Sequence, residues 1–184
     1  MNKIFCLTTI GLCLVACNKG SSVDLHNASA NEVNHAVTQS GVMNSGGMIR
    51  PGLWMSKVTI QEMNIPGLPP QYAEKMKQRM AAQREQTGKH CITEADVKKP
   101  KEDFFGADKS CKYDQFTMGG GKIDIAMTCK EEDASQTTKL TGSYTPTTYS
   151  LDMASSGNGG EQSGMTMKMH VDAQRAGECT GKDD

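Results

Sequence analysis

Aromatic residues are scarce, at 5% of the chain with a single tryptophan, so ring-filled cores and aromatic-lined pockets are excluded as the main building principle. Thirteen methionines are present instead, and their flexible thioethers are suited to filling irregular interior space. Charge of one sign is also lacking. Twenty basic residues against 21 acidic ones leave a net charge of −1, which excludes the electrostatic footprint of a nucleic-acid-binding surface. The motifs of common chemistries are missing too: no GxSxG, HExxH or phosphate-loop pattern occurs, and Gly119-Gly120-Gly121-Lys122 has no helix behind it to cradle a phosphate. Asp124, Glu131, Glu132 and Asp133 read as a solvated strand edge and turn, so no catalytic acid or base is assigned and no cofactor is implied.

Long apolar runs are likewise absent. The one greasy stretch, from Ile4 to Val15, is too short to cross a bilayer. It follows Lys3 and ends in Leu14-Val15-Ala16-Cys17, which has the order of a secretory signal: charged start, short apolar core and small residues at a cleavage site. A cysteine directly after Leu-Val-Ala resembles the lipobox of bacterial lipoproteins. The resemblance implies a signal peptide over residues 1–16, diacylglycerol (palmitate-type) attachment at Cys17, and cleavage before that cysteine. With two or three acyl chains the anchor is stable. Asn18, in place of an aspartate, implies sorting to the outer membrane with the domain facing the periplasm. Residues 17–47, rich in Asn, Ser and Gly and without a sustained apolar period, read as the lipidated cysteine and a flexible tether with a span on the order of 30 Å. His26 and His35 are solvated within it.

Of seven cysteines, Cys6 and Cys13 belong to the signal and Cys17 takes the lipid, leaving Cys91, Cys111, Cys129 and Cys179. An even number in an exported chain points to structural disulfides, and no CxxC or CxxxH spacing supports zinc or dithiol redox chemistry. Met118 to Lys122 reads as a hairpin tip. If the turn centres on Gly120, residues whose numbers sum to 240 oppose each other, which pairs Cys111 with Cys129 and leaves Cys91 for Cys179.

Residues 48–182 read as one β-rich domain. Trp54, Val58 and Ile60 alternate with Met55, Lys57 and Thr59, the period of a half-buried strand opening with Trp54 as a core plug. Gln71–Gln86 has good helix formers with Tyr72, Met76 and Met80 on one face. A short strand at His90-Cys91-Ile92 precedes Thr93-Glu94-Ala95-Asp96, a capping-box-like start to a brief helix that Pro100 closes. Cys111–Thr117, Lys122–Cys129, Thr138–Tyr144, Thr148–Met153 and Met165–Ala173 each have one apolar face and short Gly, Pro, Ser or Asn connections. The expected fold is therefore mainly β: an antiparallel meander forming a half-barrel or open barrel, with one amphipathic helix over an open end or face and one short helix.

With these elements placed, residues 50–181 resemble a domain-of-unknown-function family of small secreted bacterial proteins with four cysteines. The resemblance is carried by Pro51-Gly52-Leu53-Trp54, Cys91-Ile92-Thr93-Glu94, Cys111 with the return through Met127-Thr128-Cys129, and Gly164 to Met169 running on to Gly177-Glu178-Cys179. It implies a fold and an exported location, and brings no activity.

The sharpest candidate for chemistry is Met165, Met167 and Met169, which point to one face of a strand while His170 points to the other. Core packing is the expected role; the alternative is a soft-metal site for Cu(I) or Ag(I). Three function classes follow. The first is a non-catalytic envelope lipoprotein, held to the membrane by its lipid, whose domain binds a protein or envelope component. The second is a lipocalin-like carrier of a small apolar ligand, which requires an apolar cavity. The third is a methionine-rich Cu(I)/Ag(I) binding protein.

Overall fold

In the computed structural model the described residues are 21–43, 49–84, 88–98, 109–160 and 163–180. The signal peptide read over residues 1–16 and lipid attachment at Cys17 lie outside them, as does most of the Phe104–Ser110 loop. The elements in chain order are β1 (Ser22–Ser29), α1 (Ala30–Ser40), β2 (Gly52–Asn64), α2 (Pro70–Arg84), β3 (Gly88–Ile92), α3 (Glu94–Lys98), β4 (Cys111–Gly119), β5 (Lys122–Glu131), β6 (Ala134–Thr145), β7 (Thr148–Gly159) and β8 (Thr166–Gly177). The strands form one eight-stranded sheet in the order β1-β4-β5-β6-β7-β8-β2-β3, with every pair antiparallel. Both ends of that order are edges, so the sheet is open. No described helix is long and apolar enough to cross a membrane.

The tether reading is corrected here. Ser22–Ser29 adds an edge strand to β4, and α1 follows at once. A capping box starts the helix: the Ser29 N–H donates to Glu32 Oε2 at 2.8 Å and the Glu32 N–H donates to Ser29 Oγ at 3.3 Å. Gly41, at φ 65°, ends it in the left-handed conformation. Val33 and Val37, one turn apart, are each 1% exposed and join the core of the sheet. Burial of each contributes about 1.5 to 3 kcal/mol, enough to stabilise an eleven-residue helix that would not persist alone. The described residues thus hold three helices, of which α1 gives the core Val33 and Val37 and α3 gives it Val97. The expected cover, α2, lies against β2 with Ala73 and Met76 half-buried, and its Tyr72 is 56% exposed.

The core occupies one face of the sheet. Tyr113, Phe116 and Met118 of β4, Ile123, Ile125 and Met127 of β5, Tyr144 of β6, Ala173 of β8 and Trp54 of β2 are buried there with Val33, Val37, Val42, Met43, Ile49 and Val97. Trp54 is fully buried; its indole N–H donates to the Arg50 carbonyl oxygen at 2.9 Å and its ring stacks on Tyr149 with centroids 5.6 Å apart. Gly52 sits at φ +140°, where a side chain would run into the Gly177 carbonyl and the Arg175 guanidinium. That close approach is the physical content of the Pro-Gly-Leu-Trp motif. Thr93 and Asp96 cap α3 reciprocally, the Thr93 N–H donating to Asp96 Oδ2 at 2.9 Å and the Asp96 N–H to Thr93 Oγ1 at 3.2 Å.

Both disulfides expected from spacing are present: Cys111–Cys129, with Cα atoms 3.8 Å apart, and Cys91–Cys179, at 5.6 Å. The register behind the first pair differs from its derivation. Gly120 (φ 56°) and Gly121 (φ 76°) form a two-residue turn, so Gly119 opposes Lys122 and the paired numbers sum to 241 near the tip. An irregularity between Tyr113 and Gln115 takes up one residue, and beyond it Tyr113 opposes Met127 and Cys111 opposes Cys129. The same irregularity moves the buried set of β4 from Cys111 and Tyr113 to Phe116 and Met118. Cys91–Cys179 closes a sequence separation of 88 residues, which in the chain-entropy account stabilises by about 4 to 5 kcal/mol.

Candidate functional site

Across β5 to β8 and β2, the core-side residues fall into rows. Ile125, Leu140, Met153, Met169 and Ile60 make one row, and Met127, Thr138, Ser155, Met167 and Met63 make the next. Towards β4, Ile125 and Met127 are buried in the core, whereas Met153, Met167, Met169 and Met63 at the far end stay half-buried. Met165, Met167 and Met169 are therefore not sealed core, which corrects their expected role: the core cluster beneath α1 does not include this end of the sheet.

A cleft of about 270 Å³ opens at this end, between the end of β2, β6, β7, β8 and α2. Four of its lining residues are methionines, Met63, Met76, Met165 and Met167. Met63 and Met167 are direct cross-strand partners, and Met76 comes from α2. The remaining side chains in the lining are Asn64, Ile65, Gln136, Ser155 and Thr166, with Gly157 among them. The small residues Ser155 and Gly157 explain why the space stays open: a branched side chain at either position would fill it. Residues 154–159, expected as a turn, continue β7 and pair with β6, and this brings them into the cleft. Met169, grouped with Met165 and Met167 by strand parity, pairs with Met153 and Ile60 and does not line the cleft.

The opposite face carries a polar cluster that the sequence reading missed. His170 Nδ1 lies 2.7 Å from Asp152 Oδ1, and its Nε2 lies 3.1 Å from Asp172 Oδ2 and 3.3 Å from Ser150 Oγ. The register that places Asp152 opposite His170 is the signal that could have found it. Serine, histidine and aspartate thus occur in the order of a hydrolytic triad. The hydrogen bond to Asp152, opposed by partial desolvation and reinforced by Asp172, raises the imidazole pKa above its ordinary value. A carboxylate at each nitrogen favours the imidazolium form, which has no lone pair to take a serine proton. The cluster is a charge ladder across β7 and β8.

Because the folded-state pKa of His170 is raised, the stability it contributes is fully present below the unfolded value near 6.5 and is lost as pH rises through the folded value. An NMR titration should place the His170 Cε1–H midpoint above that of an unperturbed histidine, and Asp152→Asn should lower it. A midpoint at the ordinary value would show that the ladder does not form.

The carboxylates Asp124, Glu131, Glu132 and Asp133 are exposed. No group of three or more His, Cys, Asp or Glu residues able to hold a metal ion occurs among the described residues. A groove of about 420 Å³ at the Tyr144–Tyr149 end of the sheet is lined by Met55, Lys57, Thr148 and Gln174 among others. Burial raises the pKa of both tyrosines and keeps their phenols neutral.

An open antiparallel sheet joined by two disulfides, with a helix on its core, defines a small mainly β domain. The chain belongs to the family described as protein of unknown function (DUF3617), whose profile matches residues 49–179. No curated protein and no solved structure gives a significant match. The matched residues include Pro51 to Trp54 and all four bridged cysteines; β1 and α1 precede them, yet α1 contributes Val33 and Val37 to the same core.

Proposed function

We propose that this protein is a lipid-anchored binding domain of the cell envelope, fastened at Cys17 to the outer membrane on its periplasmic side, which holds its ligand in the methionine cleft without transforming it. The observation that carries the reading is the cleft itself: four thioethers remain half-buried around an open space while apolar residues nearer α1 are sealed. Binding sites combine such an apolar lining with a few polar groups, here Asn64, Gln136, Ser155 and Thr166. Envelope export accords with the two disulfides, which persist in an oxidising compartment.

The lipocalin-like carrier is less favoured. Its enclosed apolar chamber would occupy the core side of the sheet, where Val33, Val37, Trp54 and Phe116 are packed. The anchor geometry also differs from a long tether. Ser22 already belongs to β1, so five peptide steps separate it from Cys17, a reach of at most about 18 Å. On this reading the β1 edge stays close to the headgroups.

Occupancy can be tested before the ligand is known. Mild peroxide should oxidise Met63, Met76, Met165 and Met167 at least threefold more slowly in intact envelopes than in the purified, dialysed protein, with Met55 as the internal reference. Equal rates in both preparations would reject the cleft as a binding site.

A further inference from the structure

We propose that Met63, Met76, Met165 and Met167 form a site for a soft monovalent cation, Cu(I) or Ag(I). This inference rests on the cleft being the ligand site and adds the class of ligand. Met63 and Met167 are directly opposed across β2 and β8, a relation that brings Cβ atoms to about 5 Å. Met165 stands just before β8, two residues ahead of Met167, and lines the same cleft. Met76 enters from α2, so sulfur ligands are available from two strands and a helix around one opening. Two side-chain torsions set the position of each sulfur, so rotamer changes at the four unbranched side chains can turn the sulfurs towards the shared opening.

The lining selects the ion. Thioether sulfur is a soft, neutral ligand that favours Cu(I) over harder cations, and among the described residues no carboxylate, imidazole or ammonium group lines the cleft. Calcium, magnesium and zinc would find neither their preferred charged oxygens nor nitrogens there. The softer alternative, cysteine thiolate, is engaged in disulfides at Cys91, Cys179, Cys111 and Cys129. Thioethers are therefore the soft donors this domain retains. The four cleft methionines are half-buried, unlike Met43, Met118 and Met127, which are sealed in the core, and unlike the half-buried Met55, Met153 and Met169 they line the cleft. The floor of Ser155 and Gly157 leaves the volume an ion and its sulfurs need.

The test uses the full-length lipoprotein purified in detergent. Ag(I) is titrated under native mass spectrometry, and Cu(I), kept reduced, is titrated against a chromophoric chelator. One ion per chain is expected. Affinity should fall at least tenfold in Met76→Leu and at least 100-fold in Met63→Leu/Met167→Leu, with melting temperatures without metal close to wild type because leucine conserves most of the volume. Met76→Leu changes only the covering helix, so it reports on the site even if the double variant folds poorly. Met153→Leu, outside the cleft, should bind as wild type does. Failure of wild type to bind either ion, or undiminished binding by Met76→Leu and the double variant, overturns the metal assignment. Peroxide protection in envelopes without metal binding would reject the ion while leaving the binding domain; loss of both would reject both.

Discussion

Val33→Asp is expected to destabilise the domain by about 3 to 5 kcal/mol, enough to leave a marginally stable fold largely unfolded at physiological temperature. Val33 is 1% exposed and lies in the core cluster with Val37, so the new carboxylate would be buried without a partner. A flexible tether would predict no effect at all. Chemical denaturation of Val33→Asp beside Asn31→Ala, an exposed position on the same helix, separates the two cases. A midpoint for Val33→Asp within about 0.5 kcal/mol of wild type would mean that α1 does not pack on the sheet. Val33→Ile should cost less than about 1.5 kcal/mol, since it changes size without introducing charge.

Cys17→Ser should move the protein almost completely from the membrane fraction to the soluble fraction. Serine has no thiol for the diacylglycerol, and with the lipid goes the methylene burial of about 0.8 kcal/mol per carbon that makes a dually or triply acylated chain a stable anchor. The soluble variant should melt at the wild-type temperature, because the first described core residue, Val23, lies beyond the anchor. Fractionation with a high-salt wash is the decisive measurement. A Cys17→Ser protein that still pelleted with outer membranes would place the attachment elsewhere, and one that was soluble but unfolded would show that the lipid supports the domain.

The meander was legible because its signals are local. Tyr113, Ile123, Ile125 and Met127 show the parity of one buried face, Gly120-Gly121 forms the tight turn, and Thr93 and Asp96 cap α3. The Cys111–Cys129 pair was reached through a centre of symmetry displaced by one residue and restored by the irregularity near Asp114, a feature with no clear marker in the local pattern. β1 and α1 were missed for a different reason. Ser29 and Glu32 spell a capping box, but only Val33 and Val37 give α1 buried apolar weight, and two valines become a stabilising face only when a sheet is there to receive them.

The methionine cleft divides along the same line. Strand parity puts Met165, Met167 and Met169 on one face, and residue identity alone determines that their sulfurs are soft ligands. Tertiary structure decided which methionines share a space: it replaced Met169 with Met63 from β2 and Met76 from α2, and set Ser155 and Gly157 beneath them. From sequence alone came the strand-rich class, the hairpin chemistry, the cysteine pairs and the expectation of an anchored N-terminus, since each depends on residues close together in the chain or on simple opposition across a turn. Only the three-dimensional packing could decide which part of the apolar face α1 seals and which part stays open, because burial depends on what other elements cover, and those contacts join residues far apart in the chain.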